Sequence, residues 1–249
     1  MFCAQSNYRA LACLFTIFLL VPVCASSQIS IQNEYDGTTS PTVTVGAGSN
    51  LGLVCSAAHQ ETTAEVPTGV TFNGDAMTIG PNIVEAGSGT TAASIWYLIN
   101  PDLAVAAPVF TYDNANSTNH YRCYVLTGFV QATPLANSGT AQTQALGTTE
   151  LACNVTEVDG GFGVGVYALQ DAGSNAATWT DFTEDYDDNA QAASHFTGAS
   201  ALLSTTNTIT PGVTTDGTNS RDKAMACAVF SPAAGSAGAA IQYYLESLQ

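Results

Sequence analysis

The chain has 249 residues, of which 46% are hydrophobic and only 10% charged, and its 20 acids against four cations give a formal charge of −16. This balance excludes a disordered chain, and it excludes nucleic acid and anionic membrane surfaces as partners, because both are held by Lys and Arg. Surface helices also lack their usual Lys, Glu and Arg, whereas the abundant threonine and valine suit strands.

Residues 1–10 carry one positive charge, Arg9, and residues 11–24 form an apolar run. A bilayer span takes about 20 apolar residues, so this run is too short to be one. Val23-Cys24-Ala25 puts small residues where a signal peptidase cuts, and a signal helix over residues 1–25, cleaved after Ala25, is predicted. Val-Pro-Val-Cys lacks the small residue that precedes a lipobox cysteine, which argues against lipidation. No second apolar span follows, so no transmembrane segment is expected in the mature form. Secretion or display at the cell surface, in an extracellular or periplasmic setting, is the expected localisation.

Beyond the signal, alternation of apolar and polar residues predicts strands over 29–35, 42–45 and 51–57. Residues 70–72 and 76–79 flank Asn73-Gly74-Asp75 and read as a hairpin. Residues 83–91 look like a loop. Residues 92–99, with Trp96, Tyr97 and Leu98, form a strand that Pro101 ends, since proline cannot continue a ladder. Strands are also expected over 105–112, 120–130, 149–158, 163–169 and 223–230. Residues 192–203 could be strand or loop, and 241–248 a short helix or one more strand. No fixed-period repeat and no linker is visible. The expected organisation is a signal peptide (1–25), one β-sandwich domain (26–232) and a C-terminal tail (233–249).

Four cysteines remain after export: Cys55, Cys123, Cys153 and Cys227. Each lies on the apolar face of an alternating run, with Leu51 and Leu53, with Tyr121 and Val125, with Leu151 and Val155, and with Met225 and Val229. An even number in an exported chain predicts two disulfides. Three pairings are open. The habit of Greek-key sandwiches of placing first and last core strands side by side favours Cys55–Cys227 with Cys123–Cys153. Zinc fails on spacing, because no Cys-x2-Cys pair occurs.

The order of segments is also informative. Asn50-Leu51-Gly52-Leu53-Val54-Cys55 leads to Val70-Thr71-Phe72-Asn73-Gly74-Asp75-Ala76-Met77-Thr78, then to Ile95-Trp96-Tyr97-Leu98-Ile99-Asn100-Pro101. Gly128-Phe129-Val130-Gln131-Ala132-Thr133-Pro134-Leu135 and Glu150-Leu151-Ala152-Cys153-Asn154-Val155 follow, and Met225-Ala226-Cys227-Ala228-Val229-Phe230-Ser231-Pro232 closes the run. This resembles the jelly-roll-like β-sandwich domains of uncharacterised exported bacterial proteins and phage structural proteins, over residues 50–232. The resemblance implies an all-β fold, a single antiparallel Greek-key sandwich, and no common enzyme activity.

Catalytic patterns are missing. Gly87-Ser88-Gly89 and Gly235-Ser236-Ala237-Gly238 are not nucleophile elbows. Gly160, Gly161, Gly163 and Gly165 lack the Lys-Ser/Thr ending of a phosphate loop and read as part of a strand. His59, His120 and His195 match no metal spacing, and His59 with Glu61 reads as a surface loop. One cluster of ligand-type side chains stands out: Asp181, Glu184, Asp185, Asp187 and Asp188, interleaved with Trp179, Phe182 and Tyr186. Oxygen-rich sets of this kind bind Ca²⁺, and Trp179 and Tyr186 beside it could form a sugar platform. The spacing is not that of an EF-hand, and a solvated acidic loop with no cofactor is the simpler expectation.

These readings point first to a secreted, non-enzymatic structural or adhesive protein that contacts other proteins or itself. The alternatives are a carbohydrate-binding module, Ca²⁺-assisted, with glycans as partners, and a polysaccharide-active hydrolase or lyase using two carboxylates.

Overall fold

In the computed structural model, residues 27–113, 118–144, 150–170, 176–189, 194–215 and 222–234 are described. The segment expected to be a signal helix, residues 1–25, and the tail beyond Ala234 lie outside them. All regular structure among the described residues is β, and every strand pair is antiparallel, as the alternating pattern requires.

Ten strands of six residues or more make two five-stranded sheets. They are numbered β1 (Ser30–Gly37), β2 (Gly52–Gln60), β3 (Thr78–Val84), β4 (Thr91–Ile99), β5 (Thr118–Thr127), β6 (Leu135–Thr143), β7 (Phe162–Gln170), β8 (Thr183–Asp188), β9 (Ser194–Leu202) and β10 (Lys223–Phe230). The first sheet has the order β1-β5-β2-β4-β3 and the second β6-β10-β7-β9-β8. The second half of the chain thus repeats the topology of the first. In each half the opening and closing strands pair, and the closing strand also pairs with the second. Even a bulge recurs, between Ile31 and Asn33 on β1 and between Leu135 and Asn137 on β6.

The sheets stack face to face. β2 lies over β7, β4 over β7 and β10, β3 over β10 and β6, and β5 over β9. Equivalent strands are exchanged by this stacking, so the halves are related by an approximate twofold through β2 and β7. Val54, Ala58, Ile95 and Leu126 from one sheet meet Val164, Val166, Phe196 and Phe230 from the other in the central core. Each outer face has its own cover of short strands. Val43, Val70 and Phe72 close the first over Leu53, Cys55 and Trp96. Leu151, Val155, Trp179 and Val213 close the second over Tyr167, Met225 and Cys227. A strand covered on both faces reads as a continuous apolar run, as in residues 224–230 of β10, every one of which is buried.

The hairpin turn at Asn73-Gly74 has positive φ at both central residues, 51° and 95°, and joins Phe72 to Asp75. Asparagine and glycine are the residues that tolerate this primed-turn geometry. The latter part of β3, and all of β6 and β8, are strands that alternation alone did not reveal; all three are sheet edges. His59 also departs from expectation. It is buried near the end of β2, not in a surface loop.

The disulfides correct the expected pairing. They are Cys55–Cys123 and Cys153–Cys227, not Cys55–Cys227 and Cys123–Cys153. First and last strands are indeed neighbours, but within each half. Cys55 on β2 stands directly opposite Cys123 on β5, with Cα atoms 4.1 Å apart. By the same register, the position opposite Cys227 on β10 is Gly165 on β7. Cys227 therefore turns outward to Cys153 in the covering layer. Gly165 leaves its space to Trp179, whose ring would lie 2.7 Å from a Cβ placed there.

Candidate functional site

Strand β5 presents alternate residues to opposite faces. Cys123 and Val125 face the outer cover, while His120, Arg122 and Tyr124 face the second sheet. Beside them, β1 contributes Glu34 opposite Tyr124 and Asp36 opposite Arg122. Across the gap, β8 supplies Asp185, Tyr186 and Asp188, and β9 supplies Ser200. A bulge on β8 between Glu184 and Tyr186 inserts Asp185 as an extra residue and turns it to the same side as Tyr186.

The result is an ionic seam along one long edge of the sandwich. Arg122 is buried, and its guanidinium reaches Glu34 at 2.8 Å and Asp36 at 3.0 Å, 5.3 Å from the centre of the Tyr124 ring. The Tyr124 hydroxyl donates to Asp185, which also accepts from Ser200 at 3.1 Å. His120 Nδ1 is 2.9 Å from Asp188, and its Nε2 is 3.7 Å from Asp36. The imidazole stacks on Tyr186 at 4.1 Å, and Tyr186 lies over Gly198, where any Cβ would meet the ring at 2.3 Å. Burial pushes the His120 pKa down and outweighs the carboxylates that pull it up. Burial also raises the Asp185 carboxyl, against the hydrogen bonds and the guanidinium that lower it. The Tyr124 hydroxyl is held well above its usual range by burial and by Asp185.

At the twofold-related edge, the same register places Ala224, Ala226 and Ala228 where His120, Arg122 and Tyr124 stand. They pack in the central core with Ile83, Tyr97 and Leu135, and Tyr97 meets Phe230 edge-on at 5.6 Å. One edge of the sandwich is thus joined by charge and the other by apolar contact.

The acidic cluster anticipated from sequence is divided by the strand it occupies. Asp185 and Asp188 point into the seam. Asp187 turns to the outer face, where it pairs with His195 and accepts from the Ala177 amide. Glu184 is exposed, and Asp181 sits in a turn with φ 65°, accepting from the Thr210 amide. Among the described residues no three His, Cys, Asp or Glu side chains converge in a metal-holding group. Trp179 and Tyr186 keep 8% and 9% of their surface exposed, so neither ring offers a face to a sugar. The Trp179 indole donates to Thr197 Oγ1 at 2.9 Å.

A second polar group lies under the first sheet's cover. His59 Nε2 is 3.6 Å from Glu61, and its ring is 5.5 Å from that of Tyr112. The crevice between them, lined also by Glu65, Pro67 and Ser94, is too narrow for a water molecule, and burial lowers the His59 pKa. Among the described residues no helix is long and apolar enough to cross a membrane.

Compared with known protein families, with curated proteins and with solved structures, the chain finds no match. Its described residues form an all-β, two-sheet sandwich with two disulfides, one long edge of which is closed by a partly buried ionic network.

Proposed function

We propose that the chain is a secreted structural or adhesive protein that works through contacts with other proteins and not by catalysis. The ionic seam carries this reading. Its histidine, arginine, tyrosines and carboxylates are engaged with one another, and the Tyr124–Asp185 and His120–Asp188 contacts cross between the two halves, which makes the domain a rigid block. Two disulfides are in keeping with an oxidising compartment and add to that rigidity. The excess of acid keeps such a block soluble when it is released. Resemblance to exported and phage structural sandwiches points the same way.

The test uses the chain secreted into an oxidising compartment and purified as the host processes it. Light scattering and negative-stain images are expected to show self-assembly, or affinity capture a defined protein partner. A glycan array and a polysaccharide panel are expected to show neither binding nor reducing-end release. Saturable cleavage of a polysaccharide, or specific glycan binding strengthened by Ca²⁺, would overturn the reading.

A further inference from the structure

The two sheets have four edges, and three are defended against pairing with another strand. β1 carries Glu34 and Asp36 and a bulge. β8 carries Glu184, Asp185, Asp187 and Asp188 and a bulge. β3 has Pro81, which has no N–H to donate, inside the register shift between Ile79 and Asn82. Charge, proline and bulges are the common means by which edge strands avoid each other.

β6 has none of these along most of its length. Its nine residues, Leu-Ala-Asn-Ser-Gly-Thr-Ala-Gln-Thr, include no charge and no proline. Its bulge lies at the first pair, which leaves residues 137–143 as a regular run matched one-to-one with β10. None of its residues is fully buried, and Ser138, Thr140 and Gln142 are exposed. Among the described residues, β6 is paired along one side only. Among the described residues, the other side of residues 137–142 presents the backbone N–H and C=O groups of a strand awaiting a neighbour.

We propose that β6 pairs with β6 of a second copy, antiparallel, joining two five-stranded sheets into one of ten strands. This rests on the reading that the protein acts through protein contacts, and it names the contact. Charge selects the partner. With 20 acids and four cations in each chain, two copies repel over most of their surface. Pairing through β1 or β8 would set carboxylates opposite carboxylates, which destabilises a ladder. At β6 the facing strands are neutral. Centred on the regular run, Thr140 meets Thr140 of the second copy and Ser138 meets Gln142; the two threonine hydroxyls can bond, and Gln142, whose Oε1 accepts from the Ala86 amide of its own chain, can donate from its Nε2 to Ser138. A twofold contact of this kind closes on itself and yields a dimer.

Sedimentation equilibrium on the purified chain at about 0.1 mM should show a dimer that tightens as salt is raised, because screening weakens the repulsion between copies. Thr140→Asp and Thr140→Lys each place like charges opposite one another on an exposed position. Each should weaken dimerisation about tenfold while leaving circular dichroism and melting unchanged. An equal mixture of the two variants should dimerise again, because opposite charges then face one another across the twofold. A wild-type chain that stays monomeric at every salt concentration overturns the proposal. So does a Thr140→Asp variant as dimeric as wild type, although assembly by another surface would then still stand. Variants that lose structure are judged by the mixture: charge pairing restores the dimer only if β6 meets β6.

Discussion

Arg122 is the strongest single test of the seam. Arg122→Met keeps the stem in place and removes the guanidinium. Its partners Glu34 and Asp36 are 51% and 45% exposed, so both can regain water once the cation is gone. The cost therefore falls below the roughly 3–5 kcal/mol of breaking a fully buried pair. Two charge-assisted bonds to half-exposed carboxylates contribute about 0.5–1 kcal/mol each. The contact with the Tyr124 ring adds about 0.5–1 kcal/mol. Four carboxylates left with no guanidinium among them add a repulsion of similar size, about 0.5–1 kcal/mol. The expected loss is about 2–4 kcal/mol, read in urea with the disulfides intact, or a fall in Tm of about 5–15 °C for a domain of this length. Salt screens both the attraction of the half-exposed pairs in the wild type and the repulsion left in the variant, so the gap between the two should narrow as ionic strength rises. Arg122→Lys should fall between the two, because it keeps the charge but cannot bond both carboxylates as a fork. A loss below about 0.5 kcal/mol would refute the view that this network closes the edge, since that is the scatter expected of an ordinary surface change.

Three further outcomes follow from the geometry. Mass mapping of the unreduced chain after cleavage at glutamate should recover Cys55 joined to Cys123 and Cys153 to Cys227; each bridge closes a loop of about 70 residues, and losing either should cost about 4 kcal/mol. Gly165→Ala brings a Cβ to 2.7 Å from the buried Trp179 ring, so a loss of about 1–3 kcal/mol with altered tryptophan fluorescence is expected, and an unperturbed variant would contradict the packing. Glu85 is buried, which alone would raise its pKa, but it accepts from the amides of Gly87, Ser88 and Gly89 and from the Ser88 hydroxyl, and the net effect holds it below the usual value. A carboxyl depressed in the folded state contributes stability above its unfolded pKa and loses it as pH falls through the folded one. The stability gap between wild type and Glu85→Gln should thus be full near neutrality and shrink on acidification below about pH 4; a gap independent of pH would exclude this account.

Strands covered on one or both faces were legible because burial writes itself into the sequence. Leu53-Val54-Cys55, Ile95-Trp96-Tyr97 and Met225-Ala226-Cys227 could only be core, and Asn73-Gly74 could only be a tight turn. β6 and β8 left no such trace. As edges they are half solvated, so Ala-Asn-Ser-Gly-Thr and Glu-Asp-Tyr-Asp-Asp show no apolar rhythm, and β8 reads as a loop. The seam was legible in part. Setting Tyr121, Cys123 and Val125 on one face leaves His120, Arg122 and Tyr124 on the other, but their carboxylate partners on β1 and β8 lie tens of residues away in sequence.

From the sequence alone, alternation and composition determined that the described body of the chain is β and that Cys55, Cys123, Cys153 and Cys227 are buried. Those properties depend on each residue and its near neighbours. Only the tertiary structure decided which cysteines meet, that the second half repeats the path of the first, and that one edge is closed by charge where its twin is closed by alanines. These depend on register between distant strands, and a shift of one residue would turn His120, Arg122 and Tyr124 to the opposite face.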